Sequence, residues 1–366
     1  MDTKSIIGIV IVAVLLIGAT VFSRQSLEPE KVALGVILPL TGDAASYGEH
    51  ARNAVELARE KAETNFGILF DMRYEDSQIK PALAVNAAQK LISSDNVNYL
   101  ISFSSGETLA ICPLAETNKR LLFGSGSSPS ITTDCGAYTF RNYPSDIFQG
   151  KALARIIGEK GFSKVALFYI NNDYGVGLKD EFVKNFSGAV AVEEGHMPQT
   201  RDFRTSVAKL KSASIDALVL ISQLSEASLL LEQMREQGVN MQMFASEALK
   251  DGTLIQNTKP ESVKNLSALF TEAYSGPEAN TFKSSYVTRF KKEPGAFADY
   301  VYDNVLTLAR ALKACRKDDV LCVQKELGHL SFIGATGSIS FDENGDVKDK
   351  PYELYKIESG SFILAH

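Results

Sequence analysis

Residues 97–130 read VNYLISFSSGETLAICPLAETNKRLLFGSGSSPS. An apolar run over 97–103 ends in Ser104-Ser105-Gly106-Glu107-Thr108, and a helix follows from about 108 to 118. A second run over 120–123 ends in Gly124-Ser125-Gly126-Ser127-Ser128-Pro129. Strands of this kind, separated by a helix and closed by small polar loops, pair in parallel and are covered by helices on both faces. The rhythm extends upstream. VALGVIL at 32–38 is a buried strand, followed by a helix with Ala54, Val55, Ala58 and Ala62 on one stripe. A strand covers 69–75, and Pro81 opens a helix whose Ala84, Ala87, Ala88 and Leu91 share a face.

The pattern restarts after Asp146. A helix over 147–160 stops at Gly161, a strand covers 164–170, and Leu178, Phe182 and Phe186 line the next helix. A strand over 189–194, a helix marked by Phe203, Val207 and Leu210, and a strand over 216–222 come next. Ala227, Leu230, Leu231 and Met234 then space a helix that stops at Gly238. Two successive α/β blocks are therefore expected, joined by short ordered crossovers, since no Pro/Ser-rich linker divides them. Residues 337–342 and 352–357 flank Glu343-Asn344-Gly345-Asp346, which reads as a hairpin turn.

Composition agrees with this size and narrows the function. The chain has 366 residues, enough for two to three domains. Hydrophobic residues at 45% and charged residues at 22% exclude wholesale disorder. Net charge is −6 and no Lys/Arg block occurs, so the phosphate attraction behind nucleic-acid binding is missing. His50, His196, His329 and His366 are scattered singly and there is no CxxC, so no metal site is expected.

Residues 6–22, IIGIVIVAVLLIGATVF, form 17 residues without a charge behind Lys4. They read as a secretory signal or a single membrane anchor, and the missing A-x-A site favours an uncleaved anchor. Either reading puts the chain after about residue 31 outside the cytoplasm. Four cysteines fall in two local pairs, Cys112 with Cys135 and Cys315 with Cys322. Three connectivities are open to them; local pairing is the expectation in an oxidising compartment, with free buried thiols the alternative.

The small polar loops at strand ends are where ligands bind in open α/β sheets, and exposed N–H groups and Ser hydroxyls there favour an anion such as a carboxylate. The same residues also serve as ordinary caps and turns. Other motifs fail. Gly175-Val176-Gly177 lacks the third glycine of a dinucleotide fingerprint, Ser125 is not in a G-x-S-x-G elbow, and Asp342-x-Asn344-x-Asp346 lacks the twelfth-position Glu of a calcium loop. Neither an enzyme nor a cofactor is expected.

With those stretches read, VALGVILPLTGDAASYGEHARNAVELA, SSGETLAICPLAETNKRLLFGSGSSPSIT, FRNYPSDIFQG and KVALFYINNDYGVGLKDEF, followed by FASEALKD and SISFDENGDVKDKPYELYKI, resemble in order the type I extracytoplasmic solute-binding proteins. The resemblance is to the leucine/isoleucine/valine-binding branch that feeds ABC importers, and it spans about residues 31–358. It implies two doubly wound Rossmann-like lobes joined by three crossovers, lobe 1 from 31–145 plus 272–335 and lobe 2 from 146–271 plus 336–366, with 1–30 as signal anchor and linker.

The resemblance also implies site roles. Ser105, Ser125 and Ser127 would take the α-carboxylate of an amino acid, and Glu247 its α-ammonium. Asp146 would stand near the first crossover, and Tyr47 and Tyr174 would be cleft aromatics. Gln223-Leu224-Ser225 stands where an aromatic often walls the side-chain pocket, and Phe297 near a position that is often Tyr. The expected partners are a small amino-acid-like ligand and an ABC permease, with the membrane reached through the N-terminal helix. A ligand-sensing receptor subunit of the same fold is the alternative.

Overall fold

The computed structural model describes residues 31–315, 318–348 and 350–365. The apolar run at 6–22, read above as a signal or anchor, lies outside them. Among the described residues no helix is long and apolar enough to cross a membrane.

Fourteen strands are described, and twelve of them form two sheets. In the first, β1 (Val32–Leu38), β2 (Phe70–Asp76), β3 (Tyr99–Ser102), β4 (Leu121–Gly124) and β5 (Thr139–Arg141) lie in the order β2-β1-β3-β4-β5. Every neighbouring pair is parallel. The second holds β6 (Lys164–Ile170), β7 (Ala189–His196), β8 (Ala217–Ile221), β9 (Gln242–Ala245) and β10 (Leu266–Thr271) in the order β10-β9-β8-β6-β7. Counted from β6, this is the same winding as the first sheet, so the repeated rhythm in the sequence corresponds to a repeated topology. The inner strands are largely apolar because both faces are covered: β3, β4, β8 and β10 are buried at every position, whereas the edge strands β2 and β7 carry charged residues.

The chain crosses between the sheets after β5, where the helix Asp146–Glu159 leads into β6. It returns after β10, and the helix Ala298–Cys315 packs against Ala45–Phe66 beside the first sheet. It crosses again beyond Phe341 to β13 (Tyr352–Glu358), which pairs antiparallel with β10 and with β14 (Ser361–Leu364).

That last crossing corrects the hairpin expected between 337–342 and 352–357. Strand β12 (Gly337–Ser340) pairs with β11 (Ser331–Gly334) instead, across a tight turn in which Gly337 has φ 87°. Residues 336–340, expected in lobe 2, therefore stay with the hairpin that touches the helices Pro277–Phe290 and Val320–His329. The turn at 342–346 is real, but it closes only the Phe341↔Val347 bridge and lies against β5 through Arg141↔Asp346. The cysteines pair locally, Cys112 with Cys135 and Cys315 with Cys322.

Candidate ligand-binding cleft

In both sheets the strand order reverses beside the first strand of the block, and the crevice beyond the carboxyl ends there is where open α/β sheets bind ligands. Here the two crevices face one another. Together they line a cavity of about 130 Å³, room for on the order of ten water-sized atoms.

One wall is built from the loops after β3 and β4. Ser104 and Glu107 form a capping box, each side chain taking the other's backbone N–H, so the helix runs Ser105–Thr117. It begins three residues before the expected start, because this box occupies the segment read as loop. Ser105 thus sits in the first turn. Its Oγ accepts the N–H groups of Ser127 and Ser128, each at 3.1 Å. A hydroxyl has two lone pairs and one proton; with both lone pairs taken, Ser105 has its proton left to offer. Gly126 makes this approach possible, since a Cβ there would run into the Ser105 backbone. Ser125 Oγ accepts from Asn304 Nδ2 at 3.2 Å, and Ser127 Oγ donates to Asp146 Oδ2 at 3.0 Å.

The opposite wall comes from the ends of β6 and β9. Asn172 caps the helix Asp173–Asn185 by accepting from Gly175 N at 2.9 Å, which puts Tyr174 in the first turn. After β9, Glu247 opens a short 3-10 turn, Glu247–Leu249. Tyr174 Oη lies 3.1 Å from Glu247 Oε2 and 2.7 Å from Ser246 Oγ. Gln149 Nε2 donates to the same Glu247 oxygen.

Glu247 is 2% exposed and Asp146 0%. Burial pushes the Glu247 carboxyl up to about 7. Asp146 is also raised, first by burial and then by the nearby Glu247 charge. Asp146 Oδ1, Gln149 Oε1 and Tyr143 Oη are buried with no hydrogen-bond partner among the described residues. A carboxyl buried in this way, with unpaired oxygens beside it, is one whose ionised form a cation in the cavity would stabilise.

The remaining wall is aromatic. Tyr47, Phe103 and Phe297 contact one another with ring centroids 5.8–5.9 Å apart, and Tyr143 stacks edge-on to Phe297 at 5.3 Å. Phe297 has φ 69°, a conformation a bulky side chain adopts only when its surroundings impose it. Ile79, Pro81 and Pro198 complete the apolar lining, with the amides of Asn172 and Gln223 among them.

Of the residues singled out from sequence, Tyr47, Ser105, Ser125, Ser127, Tyr174 and Glu247 line this cavity together. Asp146 does not; it stands behind the wall and reaches it through Ser127. The sequence reading missed Phe103, Tyr143 and Gln149. Phe103 is the last apolar residue before the serines, and strand-end logic points to it. Gln149 shares the buried face of its helix with Leu153 and Ile156, and an amide on such a face is itself a signal.

The cleft is shut by contacts between its walls. Tyr47 Oη donates to Ala248 O at 2.8 Å, Ser46 Oγ lies 3.1 Å from Thr253 Oγ1, and Arg201 pairs with Asp43 at 2.6 Å.

Residues 31–361 match the family model described as periplasmic binding protein. The chain is 27% identical to Leu/Ile/Val-binding protein homolog 2 of Brucella abortus, over 96% of this chain and 95% of that protein. A crystal structure of a leucine binding protein from Thermotoga maritima superimposes with a TM-score of 0.86 at 27% identity, covering 92% of this chain and 98% of that one. The branched-chain amino acid transporter substrate binding protein of Streptococcus pneumoniae, in complex with isoleucine, shares the fold with a TM-score of 0.84 at 22% identity, over 92% and 100% of the two chains.

Proposed function

The chain belongs to the periplasmic binding protein family, and from that premise we propose that it captures an α-amino acid with an apolar side chain and delivers it to an ABC importer. One observation carries the reading: serine hydroxyls on one wall and a buried carboxylate on the other open into a single cavity. An amino acid is a zwitterion, so it needs donors at one end and an anion at the other. Ser105 and Ser125, whose hydroxyl protons are free, take its carboxylate and Glu247 its ammonium, while Ser127, whose proton goes to Asp146, fixes that wall and completes the carboxylate subsite. Asp146, behind this wall, holds Ser127. Tyr174 orients Glu247, and Tyr47, with Phe103 and Phe297, packs on the side chain. Relatives described as binding leucine, isoleucine and valine support this class.

Function follows from closure. In this reading lobe 1 comprises 31–145 and about 272–340, and lobe 2 comprises 146–271 and the chain after about 341; the pairing of β12 with β11 supports a last boundary near 340 in place of the expected 335. A ligand that touches both lobes only when the cleft is shut shifts the population toward the closed form, which the permease recognises. The protein works outside the cytoplasm, held at the membrane by residues 6–22; the uncharged run there and the two disulfides support this placement.

A thermal-shift screen of the purified protein against amino acids and small carboxylates tests the reading, since a ligand bound only by the folded form raises Tm by mass action. Apolar amino acids should raise it. A shift with aromatic carboxylates alone would replace the ligand class, and no shift with either would refute the reading.

A further inference from the structure

Strand β5 ends in Arg141, the bulkiest fully buried side chain among the described residues. A buried guanidinium is costly unless its N–H groups find acceptors. Here they do, and the acceptors are informative. Nη1 donates to the carbonyls of Ser127 at 2.9 Å and Ser128 at 2.6 Å. Nε donates to Asp346 Oδ1 at 2.5 Å, and Nη2 lies 3.3 Å from Thr132 Oγ1, which itself donates to Asp346 Oδ2 at 2.7 Å. Asp346 is fixed in turn. Its N–H donates to Asp342 Oδ1 at 2.9 Å, and the Arg141 N–H donates to Gly345 O at 2.8 Å.

The two carbonyls that Arg141 holds belong to the residues whose N–H groups bind Ser105 Oγ. The Ser125–Ser128 loop is therefore gripped from both sides, by a cation behind and by a serine hydroxyl in front. We infer that Arg141 is a positioning residue of the carboxylate subsite: it fixes the loop that presents the serine hydroxyls, and Asp346, in the turn before the last crossing between sheets, aims it. The inference rests on the reading of that wall as the carboxylate site.

A positioning role predicts an effect on ligands that carry the carboxylate and not on those that lack it. Leucine and leucinamide differ at that group. In Arg141→Lys the charge stays but the planar fork is lost, so the two carbonyls and Asp346 are no longer held together. Calorimetry should show leucine binding at least about ten-fold weaker in this variant, with leucinamide little changed. Equal losses for both probes, or no loss for either, would overturn the inference.

Amide exchange of Ser127 and Ser128 in the ligand-free protein gives a second readout. It should speed by at least about ten-fold in Arg141→Lys, and in Asp346→Asn should the lysine variant fail to fold, with β1 and β3 unchanged. Unchanged exchange at both residues would overturn the inference even if the native protein took neither probe, an outcome that would refute the ligand class separately.

Discussion

The Ser127 hydroxyl donates to Asp146 Oδ2 at 3.0 Å, and the Asp146 N–H donates to Ser127 O at 2.8 Å. This reciprocal pair ties the loop after β4 to the first turn of the helix that carries the chain into the second sheet. Gln149, one turn further along that helix, donates to Glu247. A single helix thus touches the donor wall and the acid wall of the cleft.

The paired acids make binding depend on pH. Burial raises Glu247 to about 7 from an ordinary value of 4.5. In the ligand-free protein this group's contribution to stability is present below about pH 4.5 and is lost as pH rises through about 7. Affinity runs the other way, because an ammonium beside Glu247 favours its ionised form. Binding of leucine should strengthen between about pH 5.5 and 8, and be about ten-fold weaker one unit below the pKa than well above it. Calorimetry across that range checks this, and a flat profile would contradict it.

Gly126→Ala should damage the site more than the fold. The new Cβ would meet the Ser105 backbone, so the loop must back away and the two bonds to Ser105 Oγ lengthen. A loss of about 1–3 kcal/mol in stability is expected from strain and unmade hydrogen bonds. Leucine affinity should fall by more than this lost stability accounts for. Equal affinity in a folded variant would show that the loop does not touch ligand.

Arg201 and Asp43 meet across the cleft mouth at 2.6 Å with side chains 56% and 33% exposed. A pair so open to water is worth about 0.2–1 kcal/mol. Arg201→Ala should therefore raise the dissociation rate a few-fold and leave association nearly unchanged. The difference from the native protein should vanish in high salt. Stopped-flow kinetics at two ionic strengths would show it.

Cys112 and Cys135 close a loop of 23 residues, and Cys315 and Cys322 one of 7. Loop-closure entropy predicts a loss of about 3 kcal/mol on opening the longer bridge and a smaller one for the shorter. Denaturant midpoints of the two double-serine variants should fall in that order.

What could be read from sequence followed the range of the interactions involved. β1 and β6 have the expected bounds because each is an apolar run, in β6 after Lys164, ended by local breakers, Pro39 and Asn171-Asn172. The helix at Ser105 starts earlier than read because Ser104 and Glu107 cap it, a signature present in the sequence but taken for loop. The tail was misjudged for a non-local reason: Gly337–Ser340 had two candidate partners, and the turn at 335–336 is tighter than the turn at 342–346. Strand-end serines marked one wall of the cleft on physical grounds. Glu247 was reached only through family resemblance, since nothing in Ser246-Glu247-Ala248 announces a buried acid. Arg141 is a lone arginine at the end of a three-residue strand, and its role depends on carbonyls and on a turn far along the chain.

The most direct measurement compares leucine with its α-keto analogue, which keeps the carboxylate and side chain but has no ammonium, by calorimetry at about pH 8 on the native protein and on Glu247→Gln. The native protein should prefer leucine by about 2–5 kcal/mol, and the variant should lose most of that preference. Equal binding of the two by the native protein, or a preference that survives in Glu247→Gln, would contradict the pairing of Glu247 with the ligand ammonium.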